Sequence, residues 1–233
     1  MAQSNDGNGL SAWEENAAFW DNKMGDESND FHRNLVRPHT EELLDVKSGD
    51  LVLDIACGNG NFSKRLAENG ARVVAFDYSA KMIELARKRR HDVLDRVDFR
   101  VCDATNYDEL LKLKQDKPFD KAVSNMAIMD ISNIEPLFQA VAVMLRKGGA
   151  FVFATHHPCF TYPDYPSGDY FTSCVGKGEA ISGQPVLQNY YHRSLQEIFR
   201  VAFQVGFVMD GFYEVPFPGQ TIPIIMVVRL RTK

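Results

Sequence analysis

Short β-branched runs alternate with amphipathic stretches through the middle of the chain, and a Gly, Asp or Asn turn separates each pair. Some of the strand-like runs, such as Phe151-Val152-Phe153, are apolar at every position. Such runs are typical of strands that are covered on both faces, as in a parallel sheet between two layers of helices. The sequence therefore predicts one doubly wound α/β domain over residues 1–233.

The periodicity places strands at residues 51–55, 72–76, 97–101, 119–124 and 150–155, with two more near 207–214 and 222–230. Helices are predicted at residues 61–68, 80–90, 107–114, 134–146 and 195–205. Residues 1–48 precede the first strand and carry helix-start signals: a capping box from Ser11 to Glu14, Asp30 before Phe31, and Pro38. This segment is predicted to form an N-terminal helical cap.

Residues 158–193 form a long segment without strong periodicity. A loop of this length in a compact domain is usually a lid or a binding loop. The segment is rich in aromatic residues, namely Phe160, Tyr162, Tyr165, Tyr170, Phe171, Tyr190 and Tyr191. After it, Ser194 and Glu197 form another capping box. We therefore expect a lid insertion that lines a ligand pocket.

Composition excludes several classes of protein. The 233 residues are 45% hydrophobic and carry a net charge of −5, the wrong sign for a partner bound through phosphates. No apolar run is long enough to span a bilayer, and the N-terminus does not resemble a signal peptide. The four cysteines contain no C-x-x-C pair, which argues against a zinc site or a disulfide framework. We expect a soluble, cytoplasmic protein that binds neither nucleic acid nor membrane.

The most informative segment runs from Leu51 to Ser63, where an apolar strand leads into a glycine-containing turn and then a helix. Gly58 and Gly60 allow a close approach of backbone to ligand. The third glycine of the dinucleotide fingerprint is missing, and Asp54 lies four residues before Gly58. A carboxylate there would repel a pyrophosphate but attract an ammonium group, which argues against NAD.

Further polar residues follow the next strands. Asp77 ends the second strand, where a carboxylate can accept hydrogen bonds from both hydroxyls of a ribose. Asp103 follows the third strand and could accept from an exocyclic adenine amine. Asn125 and Met126 follow the fourth strand and could flank the same ligand. A site that has carboxylates but no surrounding Lys or Arg side chains suits a cationic nucleoside that carries no phosphate.

These motifs resemble the class I S-adenosylmethionine-dependent methyltransferases, and more narrowly the small-molecule group called type 11. The resemblance rests on Asp54-x-Ala56-Cys57-Gly58-Asn59-Gly60, on Asp77, on Cys102-Asp103-Ala104 and on Leu145-Arg146-Lys147-Gly148-Gly149. It implies a seven-stranded sheet in the order 3-2-1-4-5-7-6, with strand 7 antiparallel, and S-adenosylmethionine as cofactor with S-adenosylhomocysteine as product. One departure is Ala56, where many members have glycine.

The resemblance also implies a role for each cofactor residue. The turn from Asp54 to Gly60 would hold the methionine part, Asp77 the ribose, and Asp103 with Ala104 the adenine. The expected contacts are Asp54, Ala56, Cys57, Gly58, Asn59, Gly60, Asp77, Tyr78, Met82, Cys102, Asp103, Ala104, Asn125 and Met126, with Tyr78 and Met82 covering the adenine face.

Methyl transfer from a sulfonium is an in-line displacement, so the protein mainly aligns the reactants and excludes water. A neutral histidine would help an acceptor that must lose a proton. His156 and His157, directly after the fifth strand, and His192, where the lid rejoins the core, are the predicted catalytic residues. For His32, packing is favoured over a ligand contact.

Two alternatives remain open at this point: a nicotinamide-dependent oxidoreductase, and a non-catalytic module that binds S-adenosylmethionine. The fourth strand leads into Ser124-Asn125-Met126-Ala127, not into the Asn-Pro-Pro-aromatic turn of enzymes that methylate amines of DNA or protein. No metal-ligand cluster is evident. We therefore expect a small-molecule acceptor and a monomer or homodimer, and leave the methylated atom open.

Overall fold

The computed structural model describes residues 7–161 and 168–233, so the lid aromatics Tyr162 and Tyr165 lie outside the described residues. The strands are β1 Leu51–Ile55, β2 Arg72–Asp77, β3 Val97–Val101, β4 Phe119–Asn125, β5 Leu145–His156, β6 Cys174–Gly178, β7 Gln188–His192, β8 Val208–Pro216 and β9 Pro223–Arg231. The α-helices are α1 Gly7–Met24, α2 Arg37–Leu44, α3 Asn61–Glu68, α4 Ala80–Arg89, α5 Tyr107–Leu111, α6 Glu135–Met144 and α7 Leu195–Gln204.

A seven-stranded sheet in the order β3-β2-β1-β4-β5-β9-β8 forms the centre of the fold. Strands β1 to β5 pair in parallel, whereas β9 runs antiparallel to both β5 and β8. Since β8 and β9 are the sixth and seventh strands of this sheet along the chain, the predicted order 3-2-1-4-5-7-6 is confirmed. The parallel strands all end at one edge, where their following loops meet.

Both faces of the sheet are buried, as the apolar strands predict. On one face, Phe151 and Phe153 of β5 pack against Phe138 of α6 at centroid distances of 5.3 and 5.9 Å. On the other face, Val52 and Val152 belong to a second buried cluster, which includes residues of α2, α3 and α4. Burial of aliphatic and aromatic side chains on both faces stabilises the sheet.

The segment 158–193 contains regular structure that the sequence pattern does not predict. Strands β6 and β7 form an antiparallel hairpin separate from the central sheet. Strand β6 reads Cys-Val-Gly-Lys-Gly and has no buried residue, so it carries little strand signal. Strand β7 alternates, with Gln188, Tyr190 and His192 buried, and it contacts α1 and the 3₁₀ turn Ile128–Asp130.

The N-terminal cap is helical, and one of its three helix-start signals lies inside a helix instead of at its start. Helix α1 starts at Gly7, so Ser11 lies inside it, and Glu14 accepts a hydrogen bond from Ser79 Oγ at 2.8 Å. Pro38 lies in the first turn of α2, directly after a π-helical stretch from His32 to Val36. The expectation that the capping box from Ser11 to Glu14 starts a helix was therefore wrong, whereas Asp30 and Pro38 lie in the first turns of helical segments, as the sequence predicts.

In the described ranges 7–161 and 168–233, no helix combines the length and the apolar character needed to cross a bilayer.

Candidate functional site

A cavity of about 340 Å³ opens at the edge where β1 to β4 end. Thirteen of the fourteen predicted cofactor residues line it. The exception is Gly60, where an added Cβ would lie 2.8 Å from the Phe99 ring, so this glycine allows close packing behind the turn. The strand tips therefore bring the predicted residues together, as parallel pairing requires.

The turn after β1 is held by buried polar contacts and unusual backbone geometry. Asp54 Oδ2 accepts a hydrogen bond from Ser63 Oγ at 2.5 Å. Burial raises the pKa of Asp54 to about 7. Three residues of the turn have positive φ: Ala56 at 53°, Gly58 at 54° and Gly60 at 74°. This conformation is easy for glycine but strained for alanine.

Asp77 connects the end of β2 to two other elements. Its Oδ2 accepts from the Gly58 N–H and its Oδ1 from the Ser79 N–H, both at 3.0 Å. Burial outweighs these bonds and raises the pKa of Asp77 to about 6. Ser79 Oγ in turn accepts from the Met82 N–H and caps α4. Asp77 therefore fixes both the turn and the start of the helix.

The loops after β3 and β4 complete this side of the cavity. Asp103 Oδ1 accepts from both the N–H and the hydroxyl of Thr105, at 2.8 and 2.9 Å. Asn125 Oδ1 accepts from Thr40 Oγ1 of α2 at 2.9 Å, and Met126 has a positive φ of 53°. Side-chain contacts thus join the strand ends to the N-terminal helices.

Several lining residues were missed by the sequence interpretation. Trp13 and Trp20 of α1, packed edge to face at 5.6 Å, line the cavity together with Arg37. His32, for which the sequence favoured packing, both packs against Trp20 and lines the cavity. Asp130, in the 3₁₀ turn after β4, also lines it. Its carboxylate accepts from Gln188 Nε2 of the hairpin at 3.3 Å, and burial raises its pKa well above the usual range.

The cavity combines buried acids with unsatisfied donors. Asp54, Asp77 and Asp130 all have pKa values raised by burial, so each would be stabilised as an anion by a nearby cation. Among the described residues, Arg37 is the only Lys or Arg that lines the cavity. Trp20 Nε1 and Asn61 Nδ2 are buried N–H groups without a partner in the described parts of the chain. A ligand with a positive charge and hydrogen-bond acceptors fits this set.

The three predicted catalytic histidines do not line this cavity. His157 Nε2 bonds to Glu214 Oε1 at 2.9 Å, and His192 Nε2 donates to the Tyr170 carbonyl at 2.8 Å. His156 lines a second, much smaller cavity together with His192, and burial lowers its pKa to about 4. The structure therefore places these three histidines outside the large cavity, and their catalytic role stays a prediction. Within residues 7–161 and 168–233, no group of His, Cys, Asp and Glu side chains is arranged to hold a metal ion.

The chain is similar to curated methyltransferases. It is 30% identical over 125 residues to a demethylmenaquinone methyltransferase of Paenarthrobacter aurescens, matching 54% of this chain and 44% of that protein. It is 32% identical over 130 residues to phosphoethanolamine N-methyltransferase 3 of Arabidopsis thaliana, matching 55% of this chain and 25% of that protein. The matches span less than half the length of either relative.

A solved structure described as a DhpI-SAM-HEP complex superposes with a TM-score of 0.70 at 19% identity and covers 99% of both chains. At this identity the similarity shows a shared fold. A family model described as a methyltransferase domain matches residues 46–205, more than half of the chain. The resemblance seen in the sequence motifs is thereby confirmed, and the chain belongs to the methyltransferase-domain family.

Proposed function

We propose that this protein binds S-adenosylmethionine in the large cavity and transfers its methyl group to a small molecule. The observation that carries the proposal is the set of buried carboxylates at successive strand tips, which have no basic partner among the residues that the structure describes. S-adenosylmethionine has a sulfonium, an ammonium and no phosphate, and so matches this charge pattern. The match to structures and relatives of the same family supports the assignment.

The cofactor residues take the following roles in this proposal. The turn from Asp54 to Gly58 holds the methionine part, and its negative charge favours the ammonium. Arg37 and the free Asn61 Nδ2 supply donors for the carboxylate at the other end of that group. These two residues extend the site beyond the turn predicted from the sequence.

The nucleoside part lies over the tips of β2 and β3. The Asp77 oxygens each accept one backbone N–H and retain a lone pair for a ribose hydroxyl. Asp103, which also lines the cavity, accepts from the adenine amine, and Tyr78 and Met82 cover the ring. An adenine face against an aromatic ring and a thioether is favourable.

The cofactor supplies an electrophilic methyl group, and the protein's residues align it with the acceptor and exclude water. Trp13 and Trp20 cover the cavity from α1, and Tyr191 reaches it from the hairpin. We assign the acceptor site to this side, with the N-terminal cap and the 158–193 insertion as its cover, within one domain. The names of the two relatives differ in substrate, so the acceptor's identity is not taken from them.

Calorimetric titration tests the proposal. S-adenosylhomocysteine should bind and raise Tm, because a ligand that binds only the folded state stabilises it. NADPH should do neither. Asp77→Asn should weaken S-adenosylhomocysteine binding by about tenfold, the effect of losing one charge-assisted hydrogen bond of about 1.5 kcal/mol.

Asp98→Asn is a matched control, because Asp98 lies on β3 and pairs with Arg100 at the surface. This variant should bind as the wild type does. Binding of NADPH but not of S-adenosylhomocysteine would favour an oxidoreductase. Tight cofactor binding without transfer to any acceptor would favour the non-catalytic module.

A further inference from the structure

His32 is the histidine that lines the large cavity. It begins the π-helical stretch before α2, and its ring packs edge to face against Trp20 at 5.7 Å and Phe31 at 5.3 Å. These aromatic neighbours hold the ring in place at the side of the cavity that α1 covers. Its position differs from that of the three histidines that the sequence pointed to.

The hydrogen bonds of His32 fix its tautomer. Asn29 Oδ1 accepts from the His32 backbone N–H at 3.0 Å and lies 2.8 Å from its Nδ1. Because the atom that accepts from a backbone N–H must be the amide oxygen, Nδ1 must carry the proton and donate to it. The neutral ring then has its lone pair on Nε2.

The lone pair on Nε2 is available to a ligand. In the described parts of the chain, the hydrogen bond of the His32 ring is made by Nδ1 to Asn29 Oδ1, and none is made by Nε2. Since the residue lines the cavity, Nε2 is the polar atom that it presents there. An accepting nitrogen in an apolar, tryptophan-covered part of the cavity calls for a ligand that donates a hydrogen.

The surroundings keep the ring neutral. Burial and, to a smaller extent, the Arg37 charge lower the pKa of His32 to about 4. The other neighbours, Asn29, Trp20 and Phe31, are uncharged, so Arg37 is the charged group that acts on the ring. At neutral pH the imidazole can therefore accept a proton from a bound molecule.

We propose that His32 Nε2 takes the proton from a hydroxyl group of the methyl acceptor, which makes the acceptor an alcohol or phenol. The inference rests on the proposed function. As the acceptor oxygen forms its bond to the methyl carbon, the carbon–sulfur bond breaks and its electron pair stays on sulfur. The O–H electron pair remains on oxygen, the proton moves to Nε2, and the products are a methyl ether, a neutral thioether and an imidazolium.

The chemistry of acceptors singles out a hydroxyl. An un-ionised hydroxyl is a weak nucleophile and must lose its proton to become an ether, so a placed base accelerates the step by about 10²–10⁴-fold. An amine in its neutral form attacks with its own lone pair, a carboxylic acid is already ionised at neutral pH, and a thiol, with a pKa of about 8.5, ionises more readily than an alcohol or phenol. A neutral imidazole with a fixed lone pair is of most use to an alcohol or phenol.

The test measures transfer from methyl-labelled S-adenosylmethionine to phenol, catechol and benzyl alcohol, with aniline as the amine probe. The wild type should methylate at least one hydroxyl probe. His32→Gln should lower kcat for it by at least 10²-fold while S-adenosylhomocysteine affinity changes less than about threefold. His39→Gln is the matched control, because His39 lies on the same helical segment, bonds to the Leu35 carbonyl and does not line the cavity.

Asn29 acts through His32 and is a positioning residue. Asn29→Asp places a carboxylate at Nδ1, which raises the pKa of His32 and should move the acid limb of the kcat profile to higher pH. Asn29→Ala removes the bond that fixes the tautomer and should lower kcat with little change in S-adenosylhomocysteine affinity. A purely structural role of Asn29 would not move the pH profile.

The outcomes separate this inference from the proposed function. If the wild type does not bind S-adenosylhomocysteine, the proposed function fails. If it binds S-adenosylhomocysteine but methylates no hydroxyl probe, or if His32→Gln transfers as fast as the wild type, only the inference is overturned. Ring ¹⁵N shifts that show an Nε2–H tautomer of His32 at pH 7 would overturn it as well.

Discussion

At the scale of single residues, the turn after β1 shows a strain that the sequence does not reveal. Ala56 occupies left-handed backbone at a φ of 53°, between a buried strand and the glycines of the turn. The sequence identified Ala56 as a departure from the family pattern, in which many members have glycine. The backbone conformation adds that glycine is preferred here because of φ as well as size.

Replacing Ala56 by glycine should therefore stabilise the protein by about 0.5–1 kcal/mol, since relief of left-handed strain exceeds the extra entropy of the unfolded chain. Denaturant unfolding measures this change. Ala104→Gly is the control: Ala104 also lines the cavity but is not left-handed, so its replacement should destabilise. A loss of stability in Ala56→Gly as large as in the control would contradict the strain argument.

At the scale of elements, helix α1 closes the cavity and is held on α4 by charge. Arg89 donates from Nε and Nη2 to the Asp21 carboxylate, both at 2.6 Å, and Asn59 donates to the same carboxylate at 3.0 Å. Since Asn59 belongs to the turn after β1, this cluster joins the covering helix directly to the proposed cofactor site. The docking of α1 and the shape of the turn are therefore coupled.

Loss of this pair should loosen α1 and weaken ligand binding. We expect Arg89→Leu to lower S-adenosylhomocysteine affinity about tenfold, since a charged hydrogen bond contributes about 1.5–3 kcal/mol. Hydrogen exchange should rise in residues 7–24 and stay unchanged in the central strands. The control is Arg65→Leu, whose partner Glu41 lies outside the cavity. Unchanged exchange in α1 would show that apolar packing alone holds the helix.

At the scale of the whole molecule, the sheet and most residues of the candidate site could be predicted, because both follow from local repetition. Apolar runs alternate with amphipathic ones, and parallel strands must bring the acids after β1, β2 and β3 to one edge. The hairpin could not be predicted in this way, because β6 has two glycines and no buried face. The position of Trp20, His32 and Arg37 at the cavity could not be predicted either, because it depends on how the N-terminal helices pack against the sheet.

The charge of the whole site predicts how cofactor binding depends on pH. Asp54 and Asp77 have pKa values of about 7 and about 6, above those of the unfolded chain, and a bound cation favours their ionised forms. Protons are therefore released on binding, and affinity should rise as pH increases through these values. Calorimetry with S-adenosylmethionine should show binding at least about tenfold tighter at pH 7.5 than at pH 5.5. An affinity that stays flat across this range would mean that these acids do not sense the cofactor's charge.

A crystal structure of the protein grown with S-adenosylhomocysteine tests the central assignment most directly. We predict the ligand in the cavity at the ends of β1 to β4, with its ribose hydroxyls on Asp77 and its amino group beside the turn that begins at Asp54. Ligand density elsewhere on the protein, or a nucleoside whose ribose does not contact Asp77, would contradict this assignment.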